Sequence, residues 1–335
     1  MIKKVPIISI LIFSLVLSGC GSKDIYKNKP ESQKIDSLIK VQDFNDRTVF
    51  LKFGYDAITA IKTTKGIVLI DAGISTLLTA RYKIIIENKF DNNNFVYVIN
   101  SHGHHDHIRG NSLFPKAQII GHENCQKDGS VNRNPDSLSI RVGKVVDEYE
   151  LQLQHSIPNT AEWDDIFTQK IRYKGAYWDI KNHIPFRFPD IIFPDSMKLE
   201  CGDTTFEMIY FGKFHSTSDI LIYVPEMKVL FTGDLFSKYG RPSFGNSSIT
   251  DNNVLLQANK WIKKRINNIE TIIDGHGQIL TIDDLRIFNE NLLLKYSSES
   301  KRHQCLTRTI WASCFPPCGT GFYAFAFAPA FKTNS

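Results

Sequence analysis

Cysteine is scarce. Six in 335 residues are too few for a disulfide scaffold, and no two stand as a Cys-x-x-Cys pair. Charge of one sign is also lacking. Forty Lys and Arg against 35 Asp and Glu leave a formal charge of +5, with no basic block interleaved with aromatics, so no nucleic-acid partner is expected. The 42% hydrophobic and 22% charged content excludes disordered, collagen-like and coiled-coil classes. Enough chain remains to bury a full core.

The N-terminus reads as an address. Lys3 and Lys4 precede an apolar run over residues 5–17, too short to span a bilayer comfortably, and small residues follow. Leu17-Ser18-Gly19-Cys20 resembles a bacterial lipobox, which implies a signal peptide over 1–19 and lipidation of the Cys20 thiol. Residues 20–46, polar and lysine-rich with Pro30, are expected to tether the domain to the membrane. The mature protein is then lipid-anchored at the bacterial cell envelope, outside the cytoplasm.

Folded patterning begins near Arg47. Residues 49–53, 57–62 and 66–70 are short β-branched and aromatic runs that predict a strand meander. Residues 76–90 carry apolar positions at helical spacing, stopped by Asp91-Asn92-Asn93-Asn94, and 95–99 and 117–120 predict buried strands. The scheme recurs: strands over 205–211, 220–224 and 228–232, a helix over 251–266, a strand over 271–273 and a closing helix over 283–294. Meander, helix and strand appearing twice predict an α/β protein with two sheets packed face to face and helices outside. The domain runs from 47 to 300. An aromatic-rich insertion over about 123–194 is either a lid or a small helical unit. The tail over 301–335 fits neither helix nor strand patterning.

Four of the ten histidines fall in Ser101-His102-Gly103-His104-His105-Asp106-His107, directly after the 95–99 strand. His-x-His puts two imidazoles on one side of an extended segment, and Asp106 and His107 add a carboxylate and another imidazole. Such a donor set suits Zn²⁺ or another borderline divalent ion.

His102-x-His104-x-Asp106-His107 resembles the signature of the metallo-β-lactamase fold superfamily. Four further segments resemble the family's other motifs in the expected order: Thr64-Lys65-Gly66-Ile67-Val68-Leu69-Ile70-Asp71-Ala72-Gly73, Phe214-His215-Ser216-Thr217-Ser218-Asp219, Phe231-Thr232-Gly233-Asp234 and Asp274-Gly275-His276-Gly277. The resemblance implies an αββα sandwich of two mixed sheets. It also implies two metal ions, zinc first and manganese or iron as alternatives. His102, His104 and His215 would hold one ion, and Asp106, His107 and His276 the other. Asp234 would bridge them. Asp106 and Asp234 would be the catalytic carboxylates, around a hydroxide shared by the ions. Asp71 is expected to accept an N–H from a ligand histidine and fix its tautomer. Asp219 either braces His215 or starts the next strand. His105 is expected to be a packed neighbour, His122 and Glu123 structural, and Cys201 a core residue; Cys125, His155, His183 and His303 carry no signal.

The segment leading to Asp234 resembles the β-lactamase branch that uses a cysteine ligand, as does Phe244-Gly245-Asn246. Asp234 stands where that branch has cysteine, however, and His107 where it ends in arginine. Both departures resemble the glyoxalase-type hydrolases. The implied activity is hydrolysis of an ester-, thioester-, phosphoester- or amide-like bond in a small-molecule substrate. Lys238 is a candidate to pair with a substrate carboxylate, and Asn246 to donate to a developing oxyanion. Alternatives are a β-lactamase proper, a mononuclear iron sulfur dioxygenase, and a non-catalytic metal- or ligand-binding lipoprotein.

Overall fold

Two-residue turns at 54–55 and 64–65 separate three strands, β2 (Thr48–Phe53), β3 (Asp56–Thr63) and β4 (Gly66–Ile70), in an antiparallel meander. The computed structural model describes residues 29–130, 134–236 and 252–285. The signal segment with Cys20, the candidates Lys238 and Asn246, and the 301–335 tail lie outside these residues.

Upstream of the meander are α1 (Lys29–Leu38) and β1 (Lys40–Asn45), which pairs with β2. The expected tether over 20–46 is therefore corrected from Lys29 onward. Ile35 is buried in the core, Glu31 pairs with Lys174 at 2.8 Å, and Arg81 is hydrogen-bonded to Asp36 and Ser32. A polar segment with one buried anchor carries too little periodicity to announce a helix.

After β4 the chain enters α2 (Thr76–Phe90). Ser75 caps its start by accepting from Leu78 N, and Asp91, in the left-handed conformation, ends it with its N–H on Glu87 O. The chain then adds β5 (Phe95–Ile99), α3 (His105–Ile108) and β6 (Gln118–His122). Strands β4, β5 and β6 run parallel. The 123–194 insertion is helical: α4 (Cys125–Ser130), α5 (Pro135–His155) and α6 (Ala161–Lys181). Asn134 caps α5 through Asp136 N and Ser137 N, with Pro135 in the first turn, and Thr160 caps α6.

The insertion returns through β7 (Ile191–Phe193), parallel to β6, which completes a sheet in the order β1-β2-β3-β4-β5-β6-β7. Three residues flanked by Pro189 and Pro194 are too short for a recognisable alternation. The second sheet runs β13-β12-β11-β10-β9-β8, from β8 (Ser196–Cys201), β9 (Thr204–Tyr210), β10 (Ile220–Val224), β11 (Val229–Gly233), β12 (Thr271–Asp274) and β13 (Ile279–Leu280). Between β11 and β12 lies α7 (Asn252–Lys263). Of the expected closing helix, residues 282–285 are helical and the rest lies outside the described residues.

Two cores follow. One, with Leu69, Tyr82, Val98, Phe167 and Ile171, lies between the first sheet and helices α1, α2 and α6. The other, with Ile61, Ile99, Phe206, Ile222 and Phe231, lies between the sheets and contains Cys201 as expected. Two mixed sheets with helices outside are the predicted αββα architecture. Asp179 of α6 ties the layers together by accepting from Thr76 N at 2.9 Å and from the Thr76 hydroxyl. Asp179→Ala is expected to cost about 1–3 kcal/mol in urea unfolding, through the lost contacts at the start of α2. A change below about 0.5 kcal/mol would show that this tie carries nothing.

Candidate metal centre

Parallel pairing of β4 with β5, and of β11 with β12, brings four strand ends to one edge of the sandwich. Asp71 follows β4, residues 101–107 follow β5, Asp234 follows β11 and His276 follows β12. The loop before β10 carries His215 to the same edge. Backbone hydrogen bonds fix the convergence: Ile220 N to Ser101 O at 2.9 Å, Gly275 N to Gly233 O at 2.8 Å, and Ala72 N to His107 O at 2.8 Å. A Cβ on Gly275 would lie 2.3 Å from Asp234 Oδ1 and 2.9 Å from His107 Cε1, so the close approach of these strand ends requires glycine there.

The structure brings all seven expected ligand residues together, in three overlapping groups that could hold a metal ion. These are His102, His104 and His215; His102, His107 and Asp234; and Asp106, His107 and His276. His215 Nε2 lies 2.9 Å from His104 Nδ1. Asp234 Oδ2 is 3.0 Å from His276 Nε2, 3.3 Å from His215 Nε2 and 4.0 Å from His102 Nε2. Asp234 Oδ1 is 3.7 Å from His107 Nε2. The carboxylate therefore faces both histidine sets.

The far nitrogens are held by other groups. His276 Nδ1 donates to Tyr55 O at 2.7 Å, and His107 Nδ1 to Asp71 at 2.8 Å. His102 Nδ1 lies 3.1 Å from Ser101 Oγ, which itself donates to Asp71. An imidazole donating through Nδ1 to a carbonyl or carboxylate presents its Nε2 lone pair inward when neutral. His102 Nε2, His107 Nε2 and Asp234 Oδ1 are buried without a hydrogen-bond partner. Inward lone pairs, buried and unpartnered, with a mixed nitrogen and oxygen donor set fit a borderline divalent cation.

Electrostatics agree. Burial and the neighbouring imidazoles hold His102 well below its usual value, and burial holds His215 down at about 4. Burial alone would raise Asp106 and Asp234, but the surrounding imidazoles keep both carboxyls well below the usual range. The same attraction overcomes burial at His276, raised to about 9 by Asp234, and at His107, raised by Asp71 and Asp234. Two ionised carboxylates thus draw positive charge into the cluster.

Asp71 stands where the sequence placed it, in left-handed conformation at φ 58°, accepting from Ser101 N at 2.7 Å as well as from His107. Of the two expectations for Asp219, the second holds: it directly precedes β10 and does not hold the His215 ring, accepting instead from Ser216 N at 2.7 Å and from the Ser216 hydroxyl. Burial pushes the Asp219 carboxyl up to about 7. His105 is exposed, with Nδ1 3.9 Å from Asp106 Oδ1, so the expectation of a packed neighbour fails: as the first residue of α3 it points outward. His122 is structural, its Nε2 2.8 Å from Pro194 O and its ring stacked on Tyr210.

Sequence reasoning missed Ser101, Tyr55 and Asp128. Ser101 adjoins the histidine motif and was legible by position, whereas Tyr55 acts through a carbonyl that any residue supplies. Asp128, in α4, accepts from Thr217 N at 3.0 Å and from the Thr217 and Ser218 hydroxyls, while Ser218 Oγ accepts from Gly103 N at 2.9 Å. It thereby clamps the His215 loop to the His102–His104 turn. Asp128→Ala is expected to weaken zinc binding by roughly 10–100-fold in chelator competition. Unchanged affinity would show the clamp to be dispensable.

With this geometry in hand, the comparisons with known proteins are specific. The sequence model of the Metallo-beta-lactamase superfamily matches residues 52–276, and the chain belongs to that superfamily. It is 23% identical over 219 residues to a metallo-beta-lactamase type 2 of Bacillus sp. (strain 170), covering 65% of each chain. It is 22% identical to the Bacillus cereus protein of the same name, over 65% of this chain and 66% of that one. The chain thus spans just under two thirds of these relatives' lengths. Among solved structures, the inverting sec-alkylsulfatase Pisa1 from Pseudomonas sp. superposes with a TM-score of 0.58 at 14% identity, over 84% of this chain and 46% of that one. TMB-1 superposes with a TM-score of 0.50 at 13% identity, over 78% and 98%. These superpositions show a shared fold.

Proposed function

We propose that this protein is a hydrolase using two divalent cations, zinc first, to cleave an ester-, thioester-, phosphoester- or amide-like bond. His102, His104 and His215 would hold one cation, Asp106, His107 and His276 the other, and Asp234 both. When bound, such a pair supplies Lewis acidity and lowers the pKa of water to about 7. The observation that carries the proposal is Asp234, whose two oxygens face the two histidine sets and whose Oδ1 is buried without a partner. Asp106, kept ionised by His107, His105 and His276, would accept a hydrogen bond from the attacking water and aim it. Asp71 and Tyr55 O hold the imidazoles in register, so no ligand has to reorganise during the reaction.

A second reading, β-lactamase proper, is favoured by the names of the two Bacillus relatives. Metal analysis followed by a panel of nitrocefin, thioesters, lactones and phosphodiesters separates the two. The expected result is about two ions per chain with ester or phosphodiester turnover and weak or absent nitrocefin cleavage. Efficient nitrocefin hydrolysis would establish the second reading. Less than one ion per chain would reject both.

Attachment to the envelope through a lipid on Cys20 belongs to the same proposal. Among the described residues no helix is long and apolar enough to cross a membrane. Radiolabelled palmitate should enter the wild-type chain and not Cys20→Ser; equal labelling would refute the anchor.

A further inference from the structure

The inserted helix α6 brings a cation beside Tyr55, whose carbonyl holds His276. Arg172 is 5% exposed, and its Nε is buried with no hydrogen-bond partner. Its Nη1 donates to Gln169 Oε1 at 2.6 Å, and no described carboxylate forms an ion pair with it. The guanidinium carbon lies 5.9 Å from the ring centre of Tyr55 and 5.9 Å from that of Tyr173. Burying a guanidinium that makes no ion pair is costly, and its planar fork of donors suits an anionic oxygen group.

Two contacts tie the surroundings of this cation to the candidate centre. Tyr55, one of the two rings beside it, holds His276 Nδ1 through its carbonyl. Lys52, in β2, donates to Gly277 O at 3.3 Å, and the Lys52 and Arg172 charges feel one another. Packing fixes the placement. The hairpin turn at Gly54 is so close to α6 that a Cβ there would lie 2.6 Å from Thr168 Oγ1. About two turns further along the helix, a Cβ on Gly175 would lie 2.5 Å from Ser75 Oγ. Asp56, buried and accepting from Ile74 N at 2.8 Å and Tyr82 OH at 2.9 Å, and the exposed Asp165 are the carboxylates that feel Arg172 at longer range.

We propose that Arg172, with Lys52 behind it and Tyr55 and Tyr173 beside it, forms a substrate subsite for an anionic oxygen group, a carboxylate, phosphoryl or sulfuryl, next to the metal centre. It deepens the hydrolase reading by assigning the substrate a negative charge away from the cleaved bond. The guanidinium supplies paired N–H donors, and the phenol rings supply flat walls for the carbon skeleton that carries the charge.

The test is titration of the chelator-treated protein, and separately of the zinc-loaded protein, with phenylphosphonate and with its neutral diethyl ester. The chelated form isolates the subsite from anion binding to metal. Phenylphosphonate is expected to bind wild type and to lose roughly 10–100-fold in affinity in Arg172→Gln, with part of the loss restored in Arg172→Lys. The diethyl ester is expected to bind neither protein detectably better than the other. Affinity for phenylphosphonate within about twofold of wild type in Arg172→Gln, or equal losses for both ligands, would overturn the subsite, as would a wild-type chain that binds no anion. Binding that behaves as expected beside a wild-type enzyme silent on every ester would leave the subsite standing and remove the hydrolase reading instead. Circular dichroism of each variant, with unchanged melting in Arg172→Lys, separates lost recognition from lost fold.

Discussion

Asp234→Asn is expected to lower hydrolysis by on the order of a thousandfold and to reduce bound metal from two ions to one or fewer. The reason is positional. Asp234 lies within 4.0 Å of imidazole nitrogens from His102, His107, His215 and His276, and no other described carboxylate reaches both histidine sets. An asparagine keeps the volume but offers a neutral oxygen and an N–H₂. The amide would replace the charge that four imidazoles surround and would turn a donor toward one of the inward lone pairs. The variant should remain folded, because Asp234 makes its contacts with the cluster and not with the core. Activity within tenfold of wild type, with two ions still bound, would show that Asp234 does not join the two groups.

The second large effect is on stability. Zinc is expected to raise the unfolding free energy of the chelated protein by about 4 kcal/mol when free metal stands a thousandfold above its dissociation constant. Chelator should reverse the gain. Without a cation the fold holds two ionised carboxylates and five crowded imidazoles at a buried edge, with His102 Nε2, His107 Nε2 and Asp234 Oδ1 unpartnered. Each such atom forfeits its hydration on folding. A cation restores those contacts in the folded chain alone, since the unfolded chain leaves the ligands some 175 positions apart. Denaturant midpoints that ignore zinc would show that the cluster is satisfied by other means.

Much of this was legible in sequence because the decisive features are local. The helix at 76–90 announces itself by spacing and by Asp91-Asn92-Asn93-Asn94 behind it, and α2 spans those residues. His102, His104, Asp106 and His107 sit on one strand end, and the motifs at Asp234 and His276 each follow a short apolar run that reads as a buried strand. What escaped depends on partners distant in sequence. The helix α1 is held by Ile35 and by ion pairs to α6, more than a hundred residues away. The strand β7 exists because β6 offers it an edge. Asp128 looks like any helical aspartate until the His215 loop is laid across it. Asp219 was open between bracing His215 and starting the next strand, and the loop turns so that Ser216 takes the carboxylate just before β10. Arg172 carries no spacing signal, and only the packing of α6 against the 54–55 turn brings it beside Tyr55.

The convergence of His102, His104, Asp106, His107, His215, Asp234 and His276 on a pair of cations is tested most directly by anomalous diffraction at the zinc edge, from crystals grown with excess zinc. Two peaks are expected, one among His102, His104 and His215 and one among Asp106, His107 and His276, with Asp234 touching both. No peak within these groups, or zinc bound elsewhere while the imidazoles point apart, would contradict the dinuclear centre and the hydrolysis built on it.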